Sequence, residues 1–383
     1  MRKLTLSLAA LLVAAGLAGP ALADPVAITY TTFSAAPNYI SQLEATIAAF
    51  EAAHPDIKVN YENFVSYASK GALADLGPQI AADTEFSTAI YNPTALAAFQ
   101  QDGKQYGLVE SFSNVVLFYN KDLFDKAGVA YPTAEWTWKD ELAAAQKLTD
   151  SANGVWGDFA PIQFWEFYKT IAQNGGSILS PDKKTVTIDS PQNVETLQWM
   201  IDKVNKYHVT PSDAEMGGLA SEDLFRQGKL AMLRTGIWLL GDFVDKAKFN
   251  WDIQLEPGNT AKAHHFFANG VAVSATSQHP REAYEWIKFL TSSKEAAKIR
   301  IDAGWELPAL SDPSYTQAYL DQPKPEHRDV VFKALDTAVV PPVINNWNQL
   351  TDAVGKQLDA AKLGQKTAQQ ALTDAAADIK GLL

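Results

Sequence analysis

Cysteine is absent from the 383 residues. No disulfide can staple the fold, and no thiol is available for a lipid anchor. Positive charge is also short. Lys and Arg total 32 against 44 Asp and Glu, a net charge of −12. No basic patch exists to meet a phosphate backbone, which argues against nucleic acid as a partner. Beyond the N-terminal segment no run of roughly 18 apolar residues occurs, so a membrane-spanning helix is not expected.

What stands at the N-terminus is a leader pattern. Arg2 and Lys3 precede an apolar run, Leu4 to Ala18, and Ala21-Leu22-Ala23 forms a small-residue cleavage site. The run is too short and too rich in Ala and Gly to be a span. Residues 1–23 read as a signal peptide, Met1 to Ala23, placing the protein in a bacterial periplasm. The mature chain then has 383 − 23 = 360 residues and, with two cations lost, a charge of −14. That length can bury a large core without disulfides and suggests two domains.

The mature chain alternates strand and helix patterns. Ile28–Phe33 reads as a strand. Asn38–His54 reads as a helix with Ile40, Leu43, Ile47 and Phe50 on one face, stopped by Pro55. Ile57–Tyr61 and Val115–Tyr119 read as strands, the latter running into a short helix closed by Gly128. Thr137 with Asp140 three residues on resembles a capping box. Ser190-Pro191, Ser221 and His279-Pro280 open further helices, and Leu230–Leu233 reads as a strand between them. From Asp312 onward the pattern is helical, ending in an Ala/Gln-rich helix over 367–383. The alternation predicts an α/β protein with mainly parallel sheets.

Phosphate loops, dinucleotide glycine patterns and HExxH helices are all missing. Ser180-Pro181-Asp182-Lys183 fits S-x-x-K formally, but in a turn-rich stretch. His264-His265 are neighbours in an extended segment, so their side chains point to opposite faces and cannot easily share a metal. No metal or cofactor is expected.

The informative residues are aromatic and polar clusters at the ends of elements: Trp156, Trp165-Glu166-Phe167, Arg234 to Trp238, Phe266 to Gly270 and Trp305-Glu306. The chain has ten tryptophans. An indole face can stack on the C–H face of a sugar ring while carboxylate, amide and guanidinium groups take its hydroxyls. Core tryptophans sit instead inside regular apolar periodicity, as Trp199 and Trp286 do. Paired carboxylates could alternatively make a glycosidase, with Glu166 and Glu306 as candidates and Asp158 and Glu110 behind them.

The stretch "DGKQYGLVESFSNVVLFYNKDLFDKAGVAYPTAEWTWKDELAAAQKLT" resembles the family 1 extracellular solute-binding proteins of bacterial ABC sugar importers. "QNGGSIL", "EDLFRQGKLAMLRTGIW", "FFANGVAVSATSQHPREAYEWIKFLTS" and "GWELPAL" resemble that family's later landmarks, in order. The resemblance implies a two-lobe periplasmic-binding-protein fold of type II. Its lobes would be 24–110 with 271–310, and 111–270 with 311–383. Chain crossings are implied at Leu108–Asn114, near Phe267–Gly270 and just after Leu310.

Binding positions carried over from the resemblance are Asn63, Asn114, Trp165, Glu166, Arg234, Gly236, Trp238, Asn269, Gly270, Trp305 and Glu306. Trp165, Trp238 and Trp305 would stack, the polar groups would hold hydroxyls, and the two glycines would allow close backbone approach. The implied activity is binding without catalysis. A carbohydrate closes the lobes and is handed to transmembrane permease subunits by a monomeric protein with no catalytic residue. A binding protein serving a sensory receptor is a third reading.

Two departures from the family pattern stand out. "HPDIKV" runs directly into "NYENFVSYASKGAL", so a strand–helix unit of roughly 30 residues is missing from the first lobe. A natural deletion, a tolerated redesign and a truncated record each account for it. The family's Pro after Tyr-Gly-Leu is replaced by Val109, which loosens the hinge backbone.

Overall fold

A computed structural model describes residues 25–32, 37–63, 73–97, 99–101, 103–304, 306–342, 344 and 346–383. The expected signal peptide lies outside them. No helix among the described residues is long and apolar enough to cross a membrane.

The first lobe is built on two parallel strands, β1 (Val26–Thr32) and β2 (Ile57–Asn63), joined by helix α1 (Pro37–Ala53). Val26 pairs with Ile57 and Thr32 with Asn63. Leu43 and Phe50 of α1 are fully buried, as their spacing predicts. Phe50 meets Trp286 of helix α7 (Pro280–Ser292) edge-on, their rings 5.1 Å apart. Helix α8 (Lys294–Ala303) completes this layer against α1. Among the described residues β1 pairs only with β2.

Between the lobes runs a ribbon. Strand β3 (Leu108–Ser113) pairs antiparallel with β8 (Phe267–Val271). On the other edge of β3, Phe112 exchanges both backbone hydrogen bonds with Leu307. Three separate chain segments therefore lie side by side here.

Beyond the ribbon, β4 (Val115–Asn120) is buried along its whole length. It is the centre of a sheet flanked by β5 (Met232–Gly236) and β6 (Trp251–Gln254). Helix α2 (Lys121–Ala127) ends on Gly128 in the left-handed region (φ 64°), where glycine carries no Cβ penalty. Helix α3 (Trp138–Leu148) carries the full Thr137/Asp140 capping box. Helices α4 (Phe164–Gln173) and α5 (Pro191–Asn205) pack with the C-terminal pair α9 (Trp347–Lys362) and α10 (Ala368–Lys380) in a second core. Ala368, Ala371 and Ala375 are buried there, so the Ala-rich sequence serves close helix packing.

Three expectations need correction. The sheets are not mainly parallel. Among the described residues, only the strand pairing β1–β2 and a short pairing of Ala338–Val339 with strand β7 (His264–His265) are; the other strand pairings are antiparallel. Element order does not reveal direction. β4 carries the chain out of the ribbon and β6 carries it back, so as neighbours they must run opposite ways. The C-terminal region is likewise not purely helical, because Ala338–Val339 forms that strand between helices. The strand expected at Leu230–Leu233 begins and ends later, at Met232–Gly236.

Candidate functional site

A cavity of about 490 Å³ opens beside the ribbon. Helix α4 supplies Trp165 and Glu166 from its first turn, β5 supplies Arg234 and Gly236, and the turn after it supplies Trp238. β8 supplies Phe267 and Asn269, and the third ribbon segment supplies Glu306.

The two indoles are placed for contact. Phe164, Phe167, Tyr168 and Ile171 turn the apolar face of α4 inward, which leaves Trp165 outward and 44% exposed. The Phe267 ring lies between the two, 5.9 Å from Trp165 and 6.0 Å from Trp238. Gly236 has a different task from the one expected. A Cβ built there would fall 2.1 Å from the ring of Trp238, so the glycine makes room for the indole to lie against the backbone.

At the ribbon, one polar side chain from each segment meets the other two. Asn269 donates from Nδ2 to Glu306 Oε2 at 2.6 Å and to Ser111 Oγ at 3.1 Å, and the Ser111 hydroxyl donates to Glu306 Oε2. One carboxylate oxygen of Glu306 is thus occupied by the protein.

Beneath the cavity lies a buried ionic network. Arg234 reaches Glu141, Asp158 at 3.1 Å and Glu256 at 3.3 Å. Lys203 pairs with Asp158 at 2.6 Å and Glu141 at 3.3 Å, and Lys169 pairs with Glu166 at 2.6 Å and with Glu256. Four carboxylates face three cations, all of them buried, so one carboxylate lacks a full charge partner. Burial pushes Glu256 up to about 7; Lys169 and Arg234 oppose the rise and Glu166 adds to it. Burial raises Glu166 too, but Lys169 and Arg234 outweigh it and hold that carboxyl below its usual range.

A pH dependence follows. A carboxyl whose pKa is higher folded than unfolded binds its proton more tightly in the native state, so its contribution declines as pH rises from about 4.5 to about 7. Relative to wild type, Glu256→Gln should therefore gain melting temperature progressively between pH 5 and 8. A difference that is flat with pH would show that Glu256 does not titrate in this window.

The two histidines are occupied and neutral. His264 accepts the Glu256 N–H at Nε2, so its Nδ1 donates to Thr337. His265 donates from Nε2 to the carbonyl of Trp165. Burial and neighbouring Lys169 push them down, to about 3 and about 4.

Of the eleven residues singled out in the sequence, seven line this cavity: Trp165, Glu166, Arg234, Gly236, Trp238, Asn269 and Glu306. Asn114 is fully buried and donates to the carbonyl of Val331 at 2.7 Å, tying the ribbon to the C-terminal segment. Gly270 lines a different cavity, because successive residues of a strand face opposite sides. Its missing Cβ accommodates the ring of Phe99, 2.2 Å away. Trp305 and the side chain of Asn63 lie outside the described residues. Of the other clusters, Trp156 is a core residue and Glu110 pairs with Arg300 at 2.7 Å. Phe267, named in the sequence only as part of the Phe266 to Gly270 cluster and not among the binding positions, also lines the cavity, two residues before Asn269 on the same strand face.

Comparison with known proteins adds the following. A family model described as bacterial extracellular solute-binding protein matches residues 36–297. The arabinooligosaccharide-binding protein of Bacillus subtilis is 27% identical, over 85% of this chain and 78% of its own length. A maltooligosaccharide ABC transporter solute-binding lipoprotein of Streptococcus pneumoniae is 24% identical, over 85% and 76%. Among solved structures, an ABC substrate-binding protein from Listeria monocytogenes in complex with cycloalternan superposes with a TM-score of 0.89. It is 45% identical, covering 94% of this chain and 99% of that one. A maltose-bound protein from T. maritima, 21% identical, has a TM-score of 0.79 over 94% and 100% and shares the fold.

Proposed function

The chain belongs to the bacterial extracellular solute-binding proteins, and we propose that it is the periplasmic capture component of an ABC sugar importer. It binds an oligosaccharide by hinge closure and delivers it to membrane permease subunits. The lobes meet at the ribbon, with 24–110 and 271–310 on one side and 111–270 and 311–383 on the other.

The observation that carries this reading is the join of Ser111, Asn269 and Glu306, one from each ribbon segment, at a cavity walled by Trp165 and Trp238. A ligand stacked on the indoles and bonded to Glu306 touches both lobes at once, so its binding energy favours the closed form. Arg234 and Glu166 act mainly from below. Their charges are spent within the network, so they shape and polarise the cavity rather than selecting an anionic sugar. The depressed carboxyl of Glu166 is the reverse of what a general acid requires, which favours binding over hydrolysis.

The test is calorimetric titration with cycloalternan, maltooligosaccharides and arabinooligosaccharides, followed by chromatography of the recovered sugar. We expect heat with at least one of them, at micromolar affinity or tighter (about 8 kcal/mol), and an intact ligand. Absence of heat across the panel would sink the proposal. Cleavage products that vanish in Glu166→Gln would replace it with the glycosidase.

A further inference from the structure

Three arginines are buried among the described residues: Arg234, Arg300 and Arg328. The first two meet carboxylates. Arg328 meets none. It is only 5% exposed, its Nη2 donates to the carbonyl of Lys324, its guanidinium carbon lies 4.6 Å from the ring centre of Tyr319, and its Nε has no hydrogen-bond partner. Burial without a counter-ion holds this guanidinium below the usual arginine range. An uncompensated buried cation is destabilising, and the ring of Tyr319 offsets that only in part.

Arg328 lines a second cavity, of about 450 Å³, which adjoins the proposed sugar cavity and shares Glu306 with it. Its walls are Ile237 and Leu240 on one side and Ile301 and Leu307 on the other, with helix α6 (Leu240–Lys246) facing the end of α8. The acidic side chains along it do not reach the arginine. Asp302 pairs with Lys298, Glu306 is held by Ser111 and Asn269, and Asp245 is exposed at the rim.

We propose that this cavity is a second ligand site, for a small organic monocarboxylate. The guanidinium supplies a charge-assisted hydrogen bond to one carboxylate. The apolar walls cover a carbon body, and Asp245 at the rim disfavours multiply charged ions. The site does not rest on the sugar proposal: Glu306 is the wall the two cavities share, but the carboxylate is held by Arg328, which lines only this one. An occupant would touch both α6 and α8, the two sides of the seam.

The experiment titrates the full-length protein with benzoate and hexanoate, alongside benzyl alcohol, hexanol and inorganic sulfate, by calorimetry and thermal shift. The acids are expected to bind and raise the melting temperature, and the alcohols and sulfate to do so at least tenfold more weakly. Arg328→Gln should weaken the acids at least tenfold. Because that variant could fail to fold, Val244→Asp is the second arm. Val244 is 41% exposed at the cavity, so the change should leave the melting temperature unaltered yet repel the carboxylate by a similar factor. Equal binding of alcohols and acids, sulfate binding as tight as benzoate, or no response in Val244→Asp would each overturn the proposal.

Discussion

Replacing Arg234 with leucine should lower stability by about 3–5 kcal/mol, the cost typical of stripping one partner from a buried ion cluster. Arg234 is the node that Glu141, Asp158 and Glu256 share, and none of the three reaches water. Lys203 still covers Glu141 and Asp158, and Lys169 still covers Glu256, but two cations would then face four carboxylates. Protons must be taken up or charges left bare, and either is costly in a dry interior. The melting temperature should fall by on the order of ten degrees. Thermal and urea unfolding at pH 7 measures it. The double variant Arg234→Leu with Glu141→Leu should recover part of the loss, because it removes one of the stranded charges. By contrast, breaking the exposed pair Lys58–Glu51 should change stability by no more than about 1 kcal/mol. A loss of similar size from Arg234→Leu would mean that the network holds nothing together.

None of this network could be read along the chain. Arg234 and Glu141 lie 93 residues apart and Lys169 and Glu256 lie 87 apart, and composition says nothing about which distant charges share one interior. Local signals did better. The Thr137/Asp140 box, the Gly128 stop and the apolar face of α1 depend on neighbours within a turn or two, and all three are where their spacing predicts. Strand direction failed because hydrophobic alternation is the same read either way. Asn269 and Gly270 are neighbours on β8, and strand alternation sends one to the cavity beside Trp165 and the other to the opposite face. Asn114 was misplaced because a polar residue just before a buried strand looks alike in sequence whether it faces a cleft or caps an interior carbonyl.

The tryptophans test how far that reading extends to function, because the same residue type has two opposite signatures here. Trp156 is 5% exposed in the core, while Trp165 is 44% exposed at the cavity. Trp156→Ala should cost about 3–5 kcal/mol of stability, the range for deleting a large buried aromatic, and leave sugar affinity near wild type wherever the protein is folded. Trp165→Ala should do the reverse. Its neighbours Phe164, Tyr168, Phe267 and Trp347 meet it through ring contacts at 5.7–6.2 Å that are open on one side, so stability should drop by less than about 1.5 kcal/mol. Losing one stacking face together with the apolar area it covers removes roughly 2–3 kcal/mol of binding, about 30- to 150-fold in affinity. Trp165→Phe should restore much of that, since a smaller flat ring still offers a face. Calorimetry with the sugar that binds wild type, paired with thermal unfolding of each variant, separates the outcomes. Unchanged affinity in Trp165→Ala would move the sugar away from this wall, leaving Trp238 and the Glu306 join to hold it without a facing plate.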